Sequence, residues 1–170
     1  MLNPTDKQML ARLVYRCALW VSLADERGGP QAQNIEERVL KRSLQDLYRK
    51  LPKDSDEREI LGITLSNTTH WHRGWSDNLI NLIPELKNRR DIITPTIALM
   101  ILDLSRDVAT AFRERSALSS LAIQVTVATR KIFSKLNPDL TPQEYANISV
   151  NEKAALHELA DALGITGYLL

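Results

Sequence analysis

The stretch Ala18–Leu40, ALWVSLADERGGPQAQNIEERVL, predicts a helical hairpin. It ends one amphipathic segment and begins another across Gly28-Gly29-Pro30, residues that interrupt a helix. Asn34, followed by Glu37 three positions later, is the capping-box pattern of a helix start. The chain therefore turns back on itself early, with acidic residues at the elbow.

The segment before this elbow is predicted to be a helix over about residues 4–24. Asn3-Pro4 is a favourable helix opening, and one face carries the apolar residues Leu10, Leu13, Val14, Cys17, Ala18 and Val21. Cys17 lies within this apolar face, which predicts a buried, reduced thiol.

The rest of the chain repeats the same helical periodicity. Asp54 and Glu57 form a second capping box, and Thr94-Pro95 opens the most apolar segment, which we expect to be central. Ser116 is expected to cap the helix after it, and Gly164 to end the last one. After the second hairpin helix (34–51), further helices are expected at about 54–67, 76–83, 84–90, 95–113, 117–136 and 149–163.

The last two predicted helices have a residue pattern similar to that of the first hairpin. The positions of Leu10 and Val14 correspond at a constant offset to those of Leu121 and Val125, and Asn34 corresponds to Ser149. Any two amphipathic hairpins can be aligned in this way, so chance remains the alternative. The predicted fold class is an all-α, single-domain helical bundle over residues 1–170, with two pseudo-repeated hairpins around a central apolar helix.

Composition excludes several classes of protein. With 44% hydrophobic and 25% charged residues, the 170-residue chain is an ordinary globular sequence. The net charge of +1 gives no global field that would attract nucleic acid or an anionic membrane. No window reaches the roughly 18 consecutive apolar residues of a membrane span, and no signal peptide is evident. A cytoplasmic protein without a membrane partner is expected.

The first hairpin resembles the motif of the TerB-like tellurite-resistance family. Ala24 and Asp25 match its Ala-Asp, Asn34 its cap and Glu37 its later acid, whereas Glu26 stands where that family has Gly. The last helix, Ser149–Gly164, is similar to the family's second copy. The resemblance implies two related helical halves, a cytoplasmic location, and a role in tellurite or stress response that is not established as enzymatic.

Two groups of residues are candidate metal ligands. Asp25, Glu26 and Glu37 would offer carboxylate oxygens to a divalent cation. The alternative is that acids at a helix N-terminus complement the helix dipole and that Asp25 is a solvated helix end. His70 and His72 suggest zinc, or a small-molecule enzyme with a cleft near Asp103. Residues two apart share a face only on a strand, which this sequence does not predict. No cofactor is otherwise expected.

Trp71, Arg73 and Trp75 are the candidate interaction residues, because Trp and Arg are favoured anchors at protein interfaces. Core packing of the two Trp side chains is the alternative.

A third set of residues is basic and could contact phosphates. Acidic residues are interspersed, so a mixed solvated surface is favoured over a nucleic-acid partner. The basic residues are Lys41, Arg42, Arg49, Lys50, Lys53, Arg89 and Arg90, and the acidic residues are Glu36, Glu37, Asp46, Asp54 and Asp56.

The sequence contains no phosphate-binding loop, nucleophile elbow or Ser-His-Asp arrangement that can be nominated. The leading hypothesis is therefore a non-enzymatic helical interaction or stress-response module. Its expected partner is another protein or a second copy of the chain. A helical enzyme using His70 and His72, and a nucleic-acid-binding protein, remain the alternatives.

Overall fold

In the computed structural model the chain is all-α, as the sequence predicts. Residues 2–24, 30–72, 79–118, 148 and 150–168 are described, with the backbone alone for 30–37, 72, 110–118 and 168. Within these ranges there is no strand. The helices are α1 (Pro4–Leu23), α2 (Pro30–Lys50), α3 (Asp56–His72), α4 (Leu82–Asn88), α5 (Pro95–Leu118) and α6 (Val150–Leu163), and 3-10 turns cover Leu79–Asn81 and Thr166–Tyr168.

Helix α1 lies at the centre of the described bundle, because each of the other five helices contacts it. Its side chains from Leu10 to Val21 include nine apolar residues with almost no solvent exposure. Helix α5, the segment predicted to be central, packs against α1, α2, α3 and α6. The core is thus built around two apolar helices instead of one.

Three predicted helix ends are confirmed in atomic detail. The Asn3 side chain accepts from the Asp6 amide at 2.8 Å, and the Thr94 hydroxyl accepts from the Ile97 amide at 3.3 Å. At the end of α6, Gly164 has φ +77°. The amides of Gly164 and Ile165 donate to the carbonyls of Asp161 and Ala160, the hydrogen-bond pattern of a Schellman stop.

Two predicted capping boxes are wrong. Helix α2 begins at Pro30, so Asn34 and Glu37 lie inside it; proline favours the first helical position because its missing N–H is not needed there. Helix α3 is capped by Ser55, whose hydroxyl accepts from the Arg58 amide at 3.2 Å. The predicted cap, Asp54, lies in the turn before it.

Other boundaries also shift. Helix α3 continues to His72 instead of ending near Asn67, and α5 continues to Leu118, so Ser116 lies within α5 and does not cap a new helix. Pro84 occupies the first turn of α4 instead of starting a new segment. Residues 119–136 of the next predicted helix lie outside the described residues, and with them the first helix of the second copy of the proposed repeat; the last helix of that copy is α6.

The single-domain organisation of residues 1–170 stays a prediction. None of the helices within the described ranges is long and apolar enough to cross a bilayer.

Candidate functional site

The end of α3 places Trp71 against the centre of the bundle. Its ring contacts that of Tyr15 on α1, with ring centres 5.9 Å apart and planes tilted by 56°, an arrangement that aromatic pairs favour. Tyr15 is buried, whereas Trp71 is only half-buried. Trp71 therefore packs on the core with one part of its side chain and leaves another part at the surface.

Helix α4 is fastened to the same part of α1. Arg16, the residue after Tyr15, forms an ion pair with Glu85 in which Nη1 and Oε2 are 2.5 Å apart. Leu82 and Leu86, on the inner face of α4, are fully buried. Trp71 at the end of α3 and Glu85 in α4 therefore contact successive residues of α1, Tyr15 and Arg16.

An exposed apolar residue precedes α4. Ile80, in the 3-10 turn, is 89% exposed, while its neighbours Leu79 and Ile83 are half-buried against the core. We call the side chains of Trp71, Leu79, Ile80 and Ile83 the Trp71–Ile80 surface. It combines an aromatic ring with a protruding aliphatic side chain, the chemistry of an anchor at a protein interface.

Of the three predicted interaction residues, only Trp71 is described; Arg73 and Trp75 lie outside the described residues. Both interpretations of Trp71 retain support, since it packs on the core and remains partly exposed. Ile80 was not predicted. It lies within the apolar run Leu79–Ile83, which gives no sign of which residue faces outward.

The described part of the structure does not show the three acidic metal candidates together. Asp25 and Glu26 lie outside them, and Glu37 is placed on the first part of α2, where the backbone alone is described. The described part of the chain contains no group of three or more His, Cys, Asp or Glu side chains placed to hold an ion. The cation at the elbow stays a prediction.

His70 and His72 both lie on α3. Positions two apart on an α-helix are separated by about 200° around the axis, so this placement does not favour joint zinc ligation. The His70 side chain is exposed. Asp103, on α5, pairs with Arg106 at 2.9 Å, and burial raises the pKa of the Asp103 carboxyl despite this partner.

Cys17 is fully buried on α1, as predicted. Burial raises the pKa of its thiol. A thiol held protonated in an apolar core is a poor nucleophile and a poor metal ligand.

An ionic cluster that the sequence did not reveal lies between α1 and α3. Lys7 is buried, and its Nζ lies 2.8 Å from Asp56 and 2.5 Å from Glu59. Hydrogen bonds to these acids raise the Lys7 pKa, and the hydrogen bond from Lys7, followed by one from the Leu2 amide, lowers the Asp56 pKa. The available signal was that Lys7 falls on the apolar face of α1, three residues before Leu10.

This cluster borders an open groove of about 900 Å³. On the groove's other side, Arg58 lies 4.3 Å from the centre of the Tyr48 ring and donates to the Leu51 carbonyl. The charged side chains around the groove thus interact with other residues of the same chain. We therefore assign the groove a structural role.

The predicted basic residues do not form one group: Lys53 is exposed in the turn before α3, and Arg89 is exposed in the turn after α4. Arg90 donates to the carbonyls of Asp161 and Ala162 at the end of α6, where a cation complements the helix dipole; it is a structural residue. Lys41, Arg42, Arg49 and Lys50 instead lie exposed on α2.

Comparison with known proteins finds no match: no family profile, curated protein or solved structure is significantly similar to the chain.

Proposed function

We propose that this protein is a helical interaction module that binds a protein partner through the Trp71–Ile80 surface. The observation that carries the proposal is Ile80, an aliphatic side chain that is 89% exposed. The half-buried ring of Trp71 is the aromatic member of the same proposed surface. Burying such an aliphatic side chain in a partner would contribute about 1.5–3 kcal/mol.

The setting of Ile80 supports this role. Leu82 and Leu86 hold α4 in the core, and the Arg16–Glu85 ion pair ties it to α1. The turn that carries Ile80 therefore precedes a helix that is held both by buried leucines and by an ion pair. An anchor that is already held in place loses little conformational freedom on binding, which favours affinity.

The TerB-like resemblance of Ala24, Asp25, Asn34 and Glu37 adds a biological context to the proposal. In that context the module acts in tellurite or stress response and has no catalytic activity of its own. The resemblance concerns the first hairpin and the last helix, whereas the proposed surface lies between α3 and α4, so the two parts of the proposal can fail separately.

The experiment is affinity capture from an extract of the native organism with three tagged proteins: wild type, Ile80→Ser and Val150→Ser. Val150 is the matched control, because it is also a β-branched aliphatic side chain and is 81% exposed. We expect a protein that wild type and Val150→Ser retain equally and that Ile80→Ser loses. Equal recovery by all three proteins would contradict the proposed surface, as would the absence of any specific partner.

A further inference from the structure

The outer face of α2 is a continuous basic stripe. Between residues 38 and 50, every exposed residue of α2 is a cation except Gln45. We define the α2 stripe as Arg38, Lys41, Arg42, Gln45 and Arg49. These residues span about 100° of arc and about 16 Å of length, because each residue of an α-helix advances about 100° and 1.5 Å.

No acidic residue interrupts the stripe. Asp46 lies beside the arc and pairs with Arg49 at 3.6 Å. By helical register Glu36 and Glu37 also fall outside the arc. Asp56 follows the basic residues of α2 in the sequence. It lies at the start of α3 and is paired with Lys7 of α1.

The first three cations of the stripe are available. Arg38, Lys41 and Arg42 form no ion pair within the described part of the chain. The opposite face of α2 is fixed in the core through Leu40, Leu44 and Leu47. The stripe is therefore a row of four cationic side chains, of which Arg49 is paired with Asp46, on a helix whose apolar side is already occupied.

We infer that the α2 stripe binds the phosphate backbone of a nucleic-acid duplex. Lys and Arg contacts to phosphates supply most of the affinity of sequence-independent DNA binding, through release of condensed counterions. The arginine guanidinium groups match phosphate oxygens in geometry as well as charge. The partner follows from charge complementarity.

Other anionic partners fit this face less well. An interfacial membrane helix inserts apolar side chains, but those of α2 are buried in the bundle. Protein interfaces have apolar or aromatic centres and few lysines, whereas no apolar residue is exposed between 38 and 50.

A single strand is also less suitable, because its binding sites stack bases on aromatic rings. The sole aromatic residue of α2, Tyr48, is half-buried under the Arg58 guanidinium. A duplex backbone needs no such platform.

The test measures binding of the full chain to a short fluorescent duplex DNA of mixed sequence, over a range of salt concentrations. The variant is Lys41→Gln/Arg42→Gln. The matched control is Arg12→Gln/Arg89→Gln, which removes two exposed cations from outside the stripe. Circular dichroism checks that both variants are folded.

We expect the stripe variant to bind the duplex about tenfold more weakly or worse near 0.1 M salt. The slope of log K against log salt concentration should become shallower by about two, since each phosphate contact contributes about 0.9 to that slope. The control is expected to bind like wild type. Equal losses in the two variants, or no duplex binding at low salt, would overturn the inference. Tighter binding to the single strand, to phosphatidylserine vesicles or to polyglutamate would also overturn it.

Discussion

At the scale of single residues, the most informative side chains are the three of the ionic cluster between α1 and α3. Lys7 occupies a position of α1 that the apolar periodicity assigns to the core, and two acids of α3 neutralise it there. Sequence periodicity identifies a core-facing position but does not identify the distant partner that makes a buried charge tolerable. The ionic cluster could therefore be recognised only in three dimensions.

The first prediction concerns the pH dependence of stability. The native contacts of Asp56 lower its pKa, so its contribution is present above the unfolded-state pKa of about 4 and disappears as the pH falls through the lower native value. We expect Asp56→Asn to reduce the melting temperature at neutral pH, and the difference from wild type to shrink in acid.

Thermal unfolding followed by circular dichroism at a series of pH values measures this effect. Asp91→Asn is the control, because Asp91 is exposed. An Asp56→Asn deficit that stayed constant from neutral pH to pH 2 would contradict the assignment.

The second prediction concerns Cys17. Because the thiol is fully buried and its pKa is raised, we expect no reaction with a maleimide in the native protein at neutral pH and complete reaction in denaturant. Mass spectrometry of the labelled chain measures both states. Rapid labelling of the native protein would show that α1 is not packed as described.

At the scale of secondary structure, the helix caps that were predicted correctly each stand directly before a proline. Asn3 and Thr94 each precede a proline that suits the first turn, and both are caps in the structure. The turn before α3 offers Asp54 and Ser55 in succession. Sequence preference cannot separate two adjacent capping residues, because both side chains accept from first-turn amides.

The third prediction separates these two candidates. We expect Ser55→Ala to lower the free energy of unfolding by about 1 kcal/mol, since the Arg58 amide loses its acceptor. We expect Asp54→Ala to change it by less than about 0.5 kcal/mol, as is usual for exposed positions. Urea unfolding of both variants measures the difference, and a larger loss for Asp54→Ala would restore the cap predicted from sequence.

The fourth prediction concerns the end of α6. Gly164 has φ +77°, and a Cβ added there would meet the Arg90 side chain no closer than 4.0 Å. We therefore expect Gly164→Ala to lower the free energy of unfolding by about 1 kcal/mol, because alanine disfavours a positive φ and not because its Cβ clashes.

Gly167→Ala is the matched control for this position, because a Cβ at Gly167 meets nothing within 4 Å and the residue has no positive φ. Chemical unfolding compares the two variants. Equal stability of Gly164→Ala and wild type would contradict the left-handed stop.

At the scale of the whole molecule, the helical fold was accessible from sequence, whereas the two surfaces were accessible only as single members such as Trp71 and Lys41. Apolar periodicity predicts which face of each helix is buried, and α1 follows it from Leu10 to Val21. The same rule fails for Ile80, because every residue of Leu79–Ile83 except Asn81 is apolar. Only the packing of α4 on α1 determines which of them points outward.

The α2 stripe illustrates a different difficulty. Along the sequence, basic residues alternate with Glu36, Glu37 and Asp46, which predicts a mixed surface. Around the helix axis these acids fall outside the arc that contains Arg38 and Arg42. The spacing of three, four, seven and eleven residues from Arg38 was visible in the sequence, and the structure adds that the opposite face of α2 is buried through Leu40, Leu44 and Leu47.

The proposed binding of a protein partner through the Trp71–Ile80 surface is tested by an affinity measurement. Isothermal titration of the captured partner would compare wild type, Ile80→Ser and Val150→Ser. We predict that Ile80→Ser raises the Kd about tenfold or more, in keeping with loss of one buried aliphatic anchor, while Val150→Ser leaves it unchanged. An Ile80→Ser variant that binds the partner with the wild-type Kd would contradict the claim.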